Sequence, residues 1–113
     1  MKSKIVALSK NEEFKNLLSQ RKVSNKYVTI FFGKLTNKDK TKLNISFVTK
    51  KKIGNAVKRN KIKRRLRNIT NEAVKNISIN YNYSFLVIAK SSMLNKDYKN
   101  IKETLFQDLG KIK

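Results

Sequence analysis

Residues 50–67, KKKIGNAVKRNKIKRRLR, decide how the chain is read. They open as a basic loop around Gly54 and continue as a long helix to about residue 76, in which Ile62, Leu66, Ile69 and Ala73 recur at helical spacing and predict one buried stripe. On the N-terminal side, Leu43 to Thr49 (LNISFVT) alternates, with Leu43, Ile45 and Phe47 on one face. Beyond the helix, Tyr83 to Lys90 holds five consecutive apolar residues, Phe85 to Ala89. Alternation marks a half-buried strand, and a short apolar run marks one buried on both faces. A strand, a basic helix and a second strand therefore follow one another.

Outward from this centre, Tyr27 to Phe32 (YVTIFF) predicts another strand, with Tyr27, Thr29 and Phe31 on one face and Val28, Ile30 and Phe32 on the other. Gly33 ends it before a polar turn, Lys34 to Lys42, across which it is expected to pair with Leu43–Thr49 as a hairpin. Ser9-Lys10-Asn11-Glu12 has the pattern of a capping box and opens a helix over about 10–20, where Phe14, Leu17 and Leu18 form an apolar stripe. At the other end Asn95 is expected to cap a helix carrying Tyr98, Ile101, Leu105 and Leu109, stopped near Gly110. The prediction is a single α+β domain over residues 1–113, ordered αβββαβα if an additional short strand exists and αββαβα otherwise.

The 113 residues carry 28 Lys+Arg against 7 Asp+Glu, a net charge of +21, which points to a polyanionic partner. Lysine and asparagine are so abundant that an AT-rich coding sequence could account for part of this charge. The arginines are more informative, because Arg59, Arg64, Arg65 and Arg67 cluster where a planar, multi-donor guanidinium suits phosphate and base recognition. With no Cys and no His there is no thiolate nucleophile, imidazole base or zinc-type ligand set. The scattered acids offer no convincing acid/base pair or two-metal cluster, and Glu12 and Glu13 sit where a helix dipole explains them. No catalytic or metal-binding residue is expected. No apolar run approaches the ~20 residues of a membrane span, so the expectation is a soluble cytoplasmic protein.

Between Lys40 and Asn71 stand twelve Lys/Arg and no acid. Projected at about 100° per residue, Asn60, Lys61, Arg64, Arg67 and Asn68 face away from the apolar stripe, Lys63 lies at its edge, and Lys58 and Arg59 lie close to it. A charge run is commonly just a solvated face. Here like charges crowd one helix without an acidic partner, which stability alone would not favour and which a phosphate backbone would relieve. A lipid surface is the weaker candidate, because the apolar stripe belongs to the protein core.

Residues 50–67 resemble the signature of the protein subunit of bacterial ribonuclease P, a pattern of paired lysines, a hydrophobic residue, Gly-x-Ala and a basic RNR-type helix. Asn11 to Phe14, Tyr27 to Phe32, Phe85 to Lys90 and the last amphipathic helix fall where that family has counterparts, so the resemblance spans nearly the whole chain. It implies an α/β sandwich with a left-handed βαβ crossover through the basic helix, where a right-handed one would otherwise be expected. It also implies an accessory subunit of an endoribonuclease ribonucleoprotein that removes the 5′ leader from precursor tRNA. In such an enzyme the RNA is the catalyst, Mg²⁺ is bound mainly by the RNA, and the protein alone is inactive. The implied partners are the catalytic RNA and the leader, with no membrane and no obligate protein partner.

Residue by residue, the resemblance assigns Lys51, Lys52, Arg59, Asn60, Lys61, Lys63, Arg64 and Arg67, with Arg65 flanking, to the catalytic RNA. Lys61 departs from the usual Arg, keeping the charge and losing the bidentate fork. To the leader cleft it assigns Phe14, Leu18, Phe31 (or Tyr27 under a one-residue shift) and Lys90, rings and a basic rim of the kind that binds single strands without sequence preference. Read from the residues alone, Phe14, Leu18 and Phe31 are better explained as ordinary core. Ser84 stands where that strand often begins with an aspartate. A ribosomal protein would share the size and charge but has no reason to carry residues 54–67 in this form. A duplex-DNA binder would show a helix-turn-helix or dimer heptad, which the sequence lacks.

Overall fold

A computed structural model describes residues 5–8, 11–35, 41–95 and 97–112. Five strands and three helices follow the order β1 (Ile5–Val6), α1 (Asn11–Leu18), β2 (Arg21–Ser24), β3 (Val28–Gly33), β4 (Leu43–Val48), α2 (Ala56–Asn76), β5 (Ser84–Ala89) and α3 (Tyr98–Lys111). Short 3-10 turns at Lys51–Ile53 and Ser91–Asn95 lead into α2 and α3. The α+β sandwich is thus as expected. The order gains one N-terminal strand over αβββαβα.

The strands form one sheet in the order β1-β4-β5-β3-β2. The hairpin expected between residues 27–32 and 43–49 does not form: β5 lies between β3 and β4, antiparallel to β3 from Val28↔Ala89 to Gly33↔Ser84 and parallel to β4 from Asn44↔Ser84 to Val48↔Ile88. The reason is the composition of β5. Its apolar run must be buried on both faces, which only an interior position provides. The hairpin that does form joins β2 to β3, and Asn25 closes its turn by accepting from the backbone N–H of Tyr27 (2.7 Å) and Val28 (2.9 Å) through its side-chain oxygen.

The pleat of the sheet separates two apolar layers. On one face Val28, Ile30, Phe32, Leu43, Ile45, Phe85 and Val87 pack against Ile62, Leu66, Ile69 and Ala73 of α2 and Ile101, Leu105 and Leu109 of α3. The predicted α2 stripe is the buried one. On the other face Leu17, with Phe14 beside it, packs on Leu86, and Phe31, Val48 and Ile88 are half-buried around them. Between α2 and α3 the Tyr98 hydroxyl donates to Glu72 (3.4 Å), which also pairs with Lys102 at 3.1 Å. Burial first, and then the Glu72 charge, push the Tyr98 phenol above its ordinary value.

The helix ends can be compared with expectation only in part. Ser9 and Lys10 of the capping box lie outside the described residues, as does most of the polar turn, 36–40. Asn95 belongs to the 3-10 turn, and Asp97 occupies the N-cap position of α3. The last helix ends at Lys111, one residue beyond Gly110 and so where the stop was expected, with Leu109 and Ile112 buried. The cap of α2 is clear: Asn55 accepts from the Lys58 N–H at 3.0 Å. Gly54 before it has φ 155°, a conformation that L side chains rarely adopt, and a Cβ there would sit 2.9 Å from Lys58 Cδ.

Candidate nucleic-acid interface

Because α2 buries only one stripe, its remaining surface is divided by helical spacing into three rows. Asn60, Arg64 and Asn68 form an exposed outer ridge. Arg59, Lys63 and Arg67 recur every four residues along one flank, and Lys58, Lys61 and Arg65 lie along the other. Arg59 and Arg65 are half-buried while Lys58, Lys61, Lys63, Arg64 and Arg67 are exposed, and among the described residues none of these cations has an acidic partner. The Nε of Arg59 is buried with no hydrogen-bond acceptor. Left so, such a donor costs about 1–3 kcal/mol, which an incoming phosphate oxygen would offset.

The first flank does not end in solvent. Lys63 and Arg67 line a cleft of about 510 Å³ together with Phe14 of α1 and with Ile5, Ala7 and Ile45–Val48 at the sheet edge. Two sets of residues that the sequence assigned to separate partners thus meet. The edge is open there because β1 is only two residues long and pairs with Leu43 and Asn44 alone, after which the Leu8 N–H donates to Ser46 Oγ at 2.8 Å.

Lys51 and Lys52 are exposed on the 3-10 turn before α2, and they divide. Lys50 and Lys52 line a second cleft with Lys90, Thr29 and Ile88, on the sheet face that carries α1. Lys50 is a residue that sequence reasoning passed over; its signal was the run of three lysines, of which only the last two match the motif. Lys90 is not a free cation. Its ammonium donates to the Asn25 carbonyl at 2.6 Å and to Ser24 Oγ at 2.8 Å.

The predicted rings separate as well. Phe31 is half-buried on the α1 face, with the ammonium of Lys22 5.9 Å from its ring centroid. Lys22 was missed because RKVS has too little apolar content to read as a strand, although its alternation puts Lys22 and Ser24 on one side. Tyr27 is buried at 6% exposure within the larger core and offers no face for stacking. Leu18 is 48% exposed whereas its neighbour Leu17 is fully buried. Ser84 is buried between Gly33 and Asn44, where an unpaired carboxylate would be costly.

The family model described as Ribonuclease P matches residues 3–113. The chain belongs to the ribonuclease P protein family. A ribonuclease P protein component of Carboxydothermus hydrogenoformans is 34% identical over 102 residues, covering 87% of this chain and 83% of that protein. That of Mycoplasma mycoides subsp. mycoides is 30% identical over 113 residues, covering all of both chains. Among solved structures, the ribonuclease P protein of Thermotoga maritima shares the fold with a TM-score of 0.80 at 23% identity, over 96% of this chain and 98% of that one. The Staphylococcus aureus ribonuclease P protein has a TM-score of 0.76 at 25% identity, over 94% and 93%. Membership gives the chain a part in a tRNA-processing endoribonuclease complex, with the ribonuclease P RNA as partner. No helix among the described residues is long and apolar enough to cross a membrane.

Proposed function

We propose that this ribonuclease P protein binds the catalytic RNA through α2 and the 5′ leader of precursor tRNA through the α1 face of the sheet, and so assists removal of the leader. The observation that carries the reading is the shared cleft: Phe14 lies on one side of the open β4 edge and Lys63 and Arg67 on the other. A single strand laid along the α1 face would meet Phe31 and the exposed Leu18, pass a rim of Lys22, Lys50 and Lys52, and reach α2 without leaving basic surface. Lys90 acts in this scheme chiefly by holding the β2–β3 turn, with its charge adding to the rim.

The chemistry belongs to the RNA in this reading. No group of three or more Asp or Glu comes together among the described residues, and in this reading Mg²⁺ is held mainly by the RNA. The protein contributes position and charge.

Titration of the catalytic RNA with the protein at several salt concentrations tests the RNA-binding half. Wild-type protein should bind with a steep salt dependence, and Arg64→Ala should lower the log–log slope by about 0.7–0.9 for the lost phosphate contact. A slope unchanged in Arg64→Ala would place the RNA elsewhere. A Staphylococcus aureus ribonuclease P protein mutant with defective mRNA degradation activity is among the structural relatives and is 25% identical to this chain.

A further inference from the structure

The second flank of α2 also faces a cleft. Lys58, Lys61 and Arg65 stand on one side of it, Met93, Leu94 and Asn95 of the 3-10 turn on the other, and Ile62 forms its floor. It is separate from the clefts that carry Phe14 and Lys90. Its volume is about 230 Å³, below the ~300–1,000 Å³ of sites for larger ligands. It has room for one planar ring, with any attached groups lying on its cationic rim.

We propose that this cleft seats one nucleotide of the catalytic RNA, splayed from its strand, with the phosphate on Lys58, Lys61 and Arg65 and the base against Leu94. This rests on the catalytic-RNA reading of α2 above. Three observations carry it. The wall opposite the cations carries apolar surface at Leu94, which is half-buried over the fully buried Met93, and a phosphate alone would not use that surface while a base would. The three cations have no acidic partner among the described residues, so their mutual repulsion remains for an anion to relieve. Asn95, exposed at the rim, supplies an amide donor and acceptor that can meet a base edge. An acidic peptide would satisfy the cations but brings a flat group to Leu94 only where an aromatic residue happens to neighbour its carboxylate. A nucleotide carries both parts on one unit.

Binding of the catalytic RNA transcript to the intact protein, measured across a salt series with thermal melting of each variant, tests the proposal. Arg65→Ala should weaken binding about tenfold and lower the salt slope by about 0.7–0.9, and Arg65→Lys should restore the slope. Leu94→Ala should weaken binding several-fold with the slope unchanged, since it removes an apolar contact and no charge. Because Leu94 is half-buried, Leu94→Met serves beside it as the variant that keeps the wall. Lys75→Ala, an exposed lysine at the far end of α2, should change little. Arg65→Ala behaving like Lys75→Ala would overturn the proposal. So would Leu94→Ala binding as wild type, since the cleft would then take a phosphate and no base. Failure of wild-type protein to bind the RNA at all would instead refute the function proposed above, so the two failures are distinct.

Discussion

The ammonium of Lys90 lies 2.6 Å from the backbone carbonyl oxygen of Asn25. A residue that the family pattern offers as a ligand contact is thus also a clamp between the end of β5 and the β2–β3 turn. The Lys90 N–H donates to the Tyr27 carbonyl at 2.8 Å, and the Ser92 hydroxyl donates to the Lys26 carbonyl, so the same turn is held from both sides.

Lys90→Met, which keeps the aliphatic stem, should therefore cost stability as well as affinity. A charge-assisted hydrogen bond contributes about 1.5–3 kcal/mol when enclosed, and partial exposure brings the expected loss to about 1 kcal/mol. Thermal or urea unfolding reads it directly. A purely ligand-contacting lysine would leave the midpoint unchanged.

Gly110→Ala should stabilise the chain by about 0.5–1 kcal/mol, the ordinary difference between the two residues within a helix. Nothing lies within 4 Å of the added Cβ. Unfolding midpoints of the two proteins measure the gain, and affinity for the catalytic RNA should not move. A loss of stability would mean that the last turn of α3 is not helical.

Leu18→Ala should reduce the preference for leader-bearing over mature tRNA by several-fold with little change in melting temperature, because Leu18 is already 48% exposed. Phe14→Ala should reduce the same preference, but with a stability cost, since Phe14 also packs against Leu17 and Leu86. Competition binding of the two tRNA forms to the reconstituted enzyme distinguishes these effects. Equal losses for both tRNA forms would assign the two side chains to the fold alone.

Periodicity within the chain made much of this legible. The Ile62, Leu66, Ile69, Ala73 stripe, the two faces of LNISFVT and the doubly buried SFLVIA are local patterns, and local patterns survive into the structure. Pairing was not legible, because sequence neighbours Phe32 and Leu43 gave no sign that β5, some forty residues on, would come between them. β1 was missed because it is only two residues long, and β2, allowed for as an additional short strand, could not be placed because Val23 is its lone apolar residue. Resemblance supplied the site residues singly. That Phe14 would share a cleft with Lys63 and Arg67, or that Arg65 would face Leu94, depends on how α2 lies across the sheet, which no spacing in the chain encodes. Lys90 shows the reverse limit, an assigned position whose hydrogen bonds to Ser24 and Asn25 only folding reveals.

The most direct test is reconstitution of cleavage. The purified protein, the catalytic RNA, and the two together are each incubated with precursor tRNA at low Mg²⁺, and 5′ cleavage is followed. The protein alone should cut nothing, and adding it to the RNA should accelerate leader removal well above the rate of the RNA alone. Cleavage by the protein alone, or a rate for the RNA that the protein leaves unchanged, would contradict the assignment.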